Sequence, residues 1–461
     1  MPDVRRTTRS LIDRVFPPGA ILLSTLTFVY FGAGIVRNRV FANTYGAGAE
    51  LDAYNAAFRI PEIALDVLVA AGLTAPFVPI FTSLRRDDAS DGSANAFGRT
   101  VLTGAVAVMT IASALIFLAA PWLATQIGRG FDQPTQELYI QLLRINCGAQ
   151  ILFAASICIG EILVANRQFL FYALAPVLYT TGIIVGTVLG AERFGIVATA
   201  WGAVGGAVAH LAIRSVGILR TTFRYRPSLR VRTPAFREFF RLMIPRMISH
   251  PIEPLMFTYF TILASTLAVG SVSAINFAAD YQVVPVSLIG VSFSLAVFPT
   301  LSAAFADRDR AAFGAILRRN VVTIAVLTTA AAAVLLVGAP ILVRVLLGGG
   351  RFDESDVATT SAVVAAFALS VPFDALAYPL SRGLYATHDT VRQVVASFAG
   401  FFTVIGVSTA IVGSVGVLAI PLGYAAGMVV KDVLLVAFLL PRVRRIGAMP
   451  NERVEAVSSA T

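Results

Sequence analysis

The sequence predicts an all-α integral membrane protein: about twelve transmembrane helices in two six-helix pseudo-symmetric halves around a central cavity. Three observations carry that prediction. Of the 461 residues, 57% are hydrophobic and only 13% charged, whereas a soluble domain carries about 25% charged residues. Apolar runs long enough to cross a bilayer recur along the whole chain. Short patterns also repeat at an offset near 221 residues. So few charges cannot coat a soluble protein of this length, and so apolar a chain is not disordered. The isoelectric point near 10.0 would suit a nucleic-acid binder, but the charge sits between apolar runs, which excludes that class.

A bilayer core takes roughly 20 apolar residues per helix. By that measure the first half spans 18–36, 53–83, 98–125, 138–165, 168–190 and 194–219. The second spans 238–268, 272–304, 314–343, 356–385, 389–412 and 416–440. The domain plan is then a basic lead-in (1–17), an N-terminal half (18–219), a basic linker (220–237), a C-terminal half (238–440) and a tail (441–461). Arginines set the orientation. They crowd the linker (Arg220, Arg224, Arg226, Arg230, Arg232, Arg237, with Arg241 just beyond), the 85–86, 308–310 and 318–319 segments, and Arg442, Arg444 and Arg445. About 25 basic residues fall on the side of the termini and about six on the other, so both termini are expected in the cytoplasm. The net charge of +10 then reads as a topology signal and an attraction to anionic lipid headgroups.

Two matches define the repeat. Ala53-Tyr54-Asn55-Ala56-Ala57 is similar to Ala274-Ile275-Asn276-Phe277-Ala278, and Phe77-Val78-Pro79-Ile80-Phe81 to Val297-Phe298-Pro299-Thr300-Leu301. Spans two and eight are therefore equivalent. An even number of helices per half keeps the halves parallel, with a substrate cavity between them.

Ionisable residues inside a membrane mark cavities or partners. In span two, Arg59, Glu62 and Asp66 follow Asp52 on one helical stripe. The repeat offset makes Arg59 equivalent to Asp280, an opposite charge that would bias one access state if it faced Arg59 across the cavity. In span seven, Arg246, His250 and Glu253 share one face within a run containing Pro245, Pro251 and Pro254. Three prolines predict a broken or bent helix whose loosened carbonyls line a cavity.

Catalytic and metal signals are missing from the sequence. Cys147 and Cys158 lie in apolar runs and read as small buried hydrophobes. His210, His250 and His388 have no ligand spacing. Gly348-Gly349-Gly350-Arg351 lacks the ending of a phosphate-cradling loop, and Gly202-Ala203-Val204-Gly205-Gly206 reads as a close helix contact. Neither an enzyme nor a cofactor is expected, and the identity of any coupling ion is open.

The stretch from Gly34-Ile35-Val36-Arg37-Asn38-Arg39 to Tyr45-Gly46-Ala47-Gly48 resembles the first-helix signature of the MurJ (MviN) lipid II flippases. It is followed at the family's spacing by Asp52-Ala53-Tyr54, Ala57-Phe58-Arg59-Ile60-Pro61 and Pro76-Phe77-Val78-Pro79-Ile80. Gly270-Ser271-Val272-Ser273-Ala274, Pro285, Gly290-Val291 and Phe298-Pro299 are similar to the family's eighth helix. Leu347 to Asp353 resembles its connection between helices nine and ten. The resemblance implies the multidrug/oligosaccharidyl-lipid/polysaccharide exporter fold and alternating-access transport of undecaprenyl-pyrophosphate-linked peptidoglycan precursor. It implies the bacterial cytoplasmic membrane as location, with membrane lipids and cell-wall synthesis proteins as partners and no nucleic acid. Carried over by position, Arg37 matches a cavity arginine and Asp52 an acidic position.

The chain departs from the pattern at Phe31, Leu65 and Ala70, where the family carries charge. Asn38 stands where an acid is usual, and Asp280 reverses an arginine. Typical members have fourteen helices, against about twelve here. The resulting expectation places Arg37, Asn38 and Arg246 on the pyrophosphate, with Asp52, Arg59, His250, Glu253 and Asp280 as gating or cavity charges. Three alternatives stay open: a flippase of another lipid-linked oligosaccharide, a drug or metabolite antiporter of the same superfamily, and a transport-inactive cell-wall scaffold.

Overall fold

The computed structural model describes residues 18–88, 92–249 and 252–446. The basic lead-in at 1–17, His250 and the tail beyond 446 lie outside them, as does the side chain of Arg246. The described residues are almost wholly helical, and their one β-bridge is a tight turn joining Gly349 and Phe352.

By contacts the chain divides into two compact units, Met1–Ser273 with Leu346–Asp356, and Ala274–Val345 with Val357–Thr461. In the first unit lie α1 (Pro18–Tyr45), α2 (Ala49–Leu65), a π-helical turn (Asp66–Ala70) and α3 (Ala71–Asp87). They are followed by α4 (Gly92–Ile127), α5 (Gln133–Ala165), α6 (Phe169–Phe194), α7 (Ile196–Ile218), α8 (Pro234–Ser249) and α9 (Ile252–Ser265). Helix α10 (Ser271–Pro285) begins in the first unit and passes into the second. It runs through a π-helical turn (Val286–Val291) into α11 (Ser292–Ala306), then α12 (Arg310–Leu346), α13 (Glu354–Ala368) and α14 (Val371–Ala386). The last hairpin is α15 (Thr390–Val415) and α16 (Ala419–Arg445). Helices α8 and α9, placed in the second half on sequence, group with the first unit because α8 packs on α3 and α9 on α2.

Eight helical stretches among the described residues are long and apolar enough to cross a membrane. The twelve spans read from the sequence exceed that number, since Thr390–Arg445 counts once while holding both α15 and α16, and helices such as α1, α2 and α8 fall short of the measure. The apolar side chains turned outward fit lipid contact: Phe28, Leu189 and Val337 are 80%, 77% and 80% exposed. In water that would be a liability; in hydrocarbon it costs nothing.

The repeat is written into the backbone. The two π turns begin at Asp66 and Val286, 220 residues apart. Arg167 and His388, 221 apart, both take φ 57°, and each precedes an N–H that closes the helix end, Gln168 onto Leu163 and Asp389 onto Leu384. Gly195 and Gly416, again 221 apart, turn α6 into α7 and α15 into α16 with φ 56° and 58°. Glycine relieves the steric cost of that left-handed region.

Small residues set the tightest helix pair of each unit. A Cβ on Gly186 would come within 2.5 Å of the Gly202 Cα, so α6 and α7 touch backbone to backbone. In the second unit a Cβ on Gly427 would meet the Gly400 carbonyl oxygen at 2.7 Å. Without a hydrophobic drive between helices in lipid, such close approach supplies the packing energy. The first unit also buries a phenylalanine cluster. Phe77 stacks on Phe81 at 5.5 Å and Phe97 at 5.3 Å, and Phe97 meets Phe239 edge-on at 5.7 Å. Its second core joins α5 to α7 through polar atoms. Arg214 donates from Nη1 to the Ser156 carbonyl at 2.8 Å and lies over the Tyr172 ring, and Ser156 Oγ bonds His210 Nδ1 at 2.7 Å. Cys147 and Cys158 are buried and unbridged.

Candidate functional site

The first unit holds a cavity of about 350 Å³ lined by Arg59, Glu62, Ile63 and Asp66 from α2 and its π turn, and by Glu253, Pro254 and Phe257 from α9. The α2 contribution is a stripe at i, i+3, i+4 and i+7, which a helix brings to one face. Asp66 opens the π turn, a wider turn that often marks functional positions in helices. The α9 wall comes from the start of Ile252–Ser265, where Glu253 and Pro254 stand; the break expected in the proline-rich run falls at residues 250 and 251, outside the described residues.

Arg59 crosses the cavity, its guanidinium carbon 5.3 Å from the centre of the Phe257 ring. Arg37, on α1, is not among the lining residues; its guanidinium carbon lies 5.9 Å from the centre of the Phe41 ring. Asn38 orients it: the buried amide oxygen accepts from Arg37 Nε at 3.1 Å and Nη2 at 2.9 Å. A neutral amide thus fixes the plane of the guanidinium fork without cancelling its charge. The cavity combines Arg59 with Glu62, Asp66 and Glu253. Such a set can bind an anion that displaces carboxylates from guanidinium forks.

The other residues singled out on sequence fall elsewhere. Asp52 lies two turns before Arg59 and does not line the cavity. Its Oδ2 accepts from the Gly270 N–H at 2.7 Å, and its Oδ1 accepts from Ser273 N–H at 2.7 Å and Ser273 Oγ at 2.6 Å. It therefore caps the start of α10 from a helix more than 200 residues away. Asp280 belongs to the second unit, on an exposed position of α10 beside buried Tyr281. Arg246 is in α8, with its side chain outside the described residues, and His250 lies outside them altogether.

Near Asp52, the 346–356 segment is bound into the first unit. Arg351 N–H donates to the Asn43 carbonyl at 2.9 Å, Ala47 N–H donates to Asp356 Oδ2 at 3.0 Å, and Arg351 pairs with Glu50 at 3.7 Å. Gly350, at φ 60°, rests on the Asn43 backbone with no room for a Cβ. The glycine run thus serves close packing. Sequence reasoning gave no sign of this clamp beyond the run itself, because its partners are far apart in the chain.

The sequence model of the family described as lipid II flippase MurJ matches residues 41–456. The chain belongs to the MurJ family. Among relatives, the lipid II flippase MurJ of Burkholderia cenocepacia is 25% identical over 387 residues, covering 82% of this chain and 73% of that one. The probable lipid II flippase MurJ of Rhizobium meliloti is 26% identical over 421 residues, covering 87% and 75%. Among solved structures, a lipid II flippase MurJ in an inward closed conformation aligns with a TM-score of 0.78 at 22% identity, over 92% of this chain and 90% of that one. A MATE multidrug transporter of the MOP superfamily in an inward-facing conformation aligns with a TM-score of 0.76 at 14% identity, over 91% and 94%. At those identities the structures speak for the fold, which the MurJ and MATE branches share. The family is one of multi-pass membrane transporters, which is the setting in which the Arg59 cavity has to be understood.

Proposed function

We propose that this chain carries lipid II, the undecaprenyl-pyrophosphate-linked peptidoglycan precursor, across the bacterial cytoplasmic membrane by alternating access, with both termini in the cytoplasm. The observation that supports this reading is that Arg59 lines the cavity beside Glu62 and against Phe257, with Arg37 at the family's cavity-arginine position one helix away. The pyrophosphate takes over the guanidinium forks from the acidic residues, since forked donors match phosphate oxygens bidentately. Arg59 provides one fork against Phe257, and Arg37 provides the other, held flat by Asn38. Arg246 serves as a further cation on α8. Cell-wall synthesis proteins are the partners such a carrier requires on either side of the membrane.

A second reading has one observation in its favour. Glu62, Asp66 and Glu253 outnumber Arg59 on the cavity wall, which suits a cationic substrate of an antiporter. One experiment separates the two: expression in cells depleted of their own lipid II flippase, with externally accessible precursor measured afterwards. The flippase reading predicts rescue, and loss of rescue in Arg37→Ala and Arg59→Ala at wild-type membrane levels. Failure of the inserted wild-type chain to rescue, combined with efflux of a lipophilic cation, establishes the antiporter instead.

A further inference from the structure

The second unit contains a pair of acidic residues that the cavity does not use. Asp374, in the first turn of α14, is held through one oxygen: its Oδ2 accepts from Gln282 Nε2 of α10 and from the Tyr424 hydroxyl of α16, both at 2.8 Å. Asp432 lies two turns beyond Tyr424 on α16. It is 8% exposed, and neither carboxylate oxygen accepts a hydrogen bond. The charges that act on it are those of Lys431, its chain neighbour, and Asp374.

The surroundings offer little else. Helix α16 packs against α15 and α14. The ionisable side chain of α15 is Arg392, held at the helix start by Asp389 at 3.4 Å. Helix α14 adds Asp374, Tyr378, Arg382 and Tyr385, and Arg382 ends in a buried Nη1 with no acceptor. Lys431 sits over Gly400, whose Cβ position is 3.1 Å from the Lys431 Cβ. A buried carboxylate without a donor in a membrane helix, with a second carboxylate on the helix packed against it, is the arrangement in which one acid binds a proton.

We propose that Asp432, backed by Asp374, is a proton-binding site within the second unit. One proton from water adds to a carboxylate oxygen of Asp432 to give the neutral acid, and leaves to water when α14 shifts against α16 enough to bring Arg382 onto the carboxylate. The use of that proton to drive a transport cycle rests on the carrier reading above; the site itself does not.

The test is infrared difference spectroscopy between alkaline and acidic buffers on the full chain in lipid vesicles. A carboxylic-acid carbonyl band that titrates with proton concentration is expected in the wild type. It should be lost in Asp432→Asn, shifted in frequency in Asp432→Glu and Asp374→Asn, and unchanged in the surface control Asp307→Asn. An unchanged band in Asp432→Asn overturns the proposal; should that variant misfold, an unshifted band in Asp432→Glu does so. A band that follows sodium rather than proton concentration overturns it as well. Because no substrate enters this measurement, a persisting Asp432 band in a chain that fails to rescue depleted cells refutes the carrier reading alone.

Discussion

At the scale of single residues, the stripe of Arg59, Glu62 and Asp66 was legible from spacing, since a helix leaves residues three and four apart on one face. Asp52 belongs to the same stripe but has a different use. Its three hydrogen bonds tie α2 to the first residues of α10. Removing the carboxylate leaves the Gly270 and Ser273 donors buried, and each such group costs about 1–3 kcal/mol. Asp52→Ala should therefore lower the melting temperature of the detergent-solubilised protein clearly, and Asp52→Asn, which keeps one acceptor, by less. A melting temperature equal to wild type in Asp52→Ala would show that the cap holds nothing. That role was illegible because local spacing says nothing of a partner 218 positions away. The same holds for Phe257, which packs on Arg59 from another helix, and for the Asp374–Gln282–Tyr424 contacts, which draw on three helices.

At the scale of elements, the helix positions followed from the apolar runs almost throughout. The expected span 314–343 is α12, Arg310–Leu346, and 138–165 is α5, Gln133–Ala165. Hydrophobic length is a direct consequence of bilayer thickness, so it survives without knowledge of packing. Helix ends, π turns and the assignment of α8 and α9 to the first unit depend on tertiary contacts, which no local pattern encodes. The repeat was visible as two short matches, yet its firmest trace is conformational: Arg167 and His388 end equivalent helices in the left-handed region. A non-glycine residue there carries a steric cost of roughly 1–2 kcal/mol. Arg167 is exposed, so Arg167→Gly removes that cost with little loss of contact and should raise the melting temperature. Arg167→Val, branched at Cβ, should lower it. Equal melting of the two variants would mean that the turn relaxes freely and that the repeat imposes no strain.

At the scale of the whole molecule, the distribution of charge is the governing feature. The arginines of the 220–241 stretch fall in a segment that is docked rather than loose. Arg99 Nε donates to the Arg224 carbonyl at 2.6 Å, and the Ser228 and Arg230 N–H groups donate to Thr103 and Thr100 at 3.2 and 3.3 Å. Docking of that kind explains a fixed linker but not its arginines, whose side chains are mostly exposed. On the orientation proposed above, retention of basic residues on the cytoplasmic side accounts for them, because translocating arginine during insertion is disfavoured. The 346–356 segment, at the opposite end of a helix that starts at Arg310, should then face outward. Since Cys147 and Cys158 are buried, single cysteines can report the two sides in intact cells. Ser355→Cys should react with a membrane-impermeant maleimide added outside, and Arg226→Cys only after permeabilisation. Labelling of Arg226→Cys from outside, with Ser355→Cys protected, would invert the topology and overturn the placing of the 220–241 arginines in the cytoplasm.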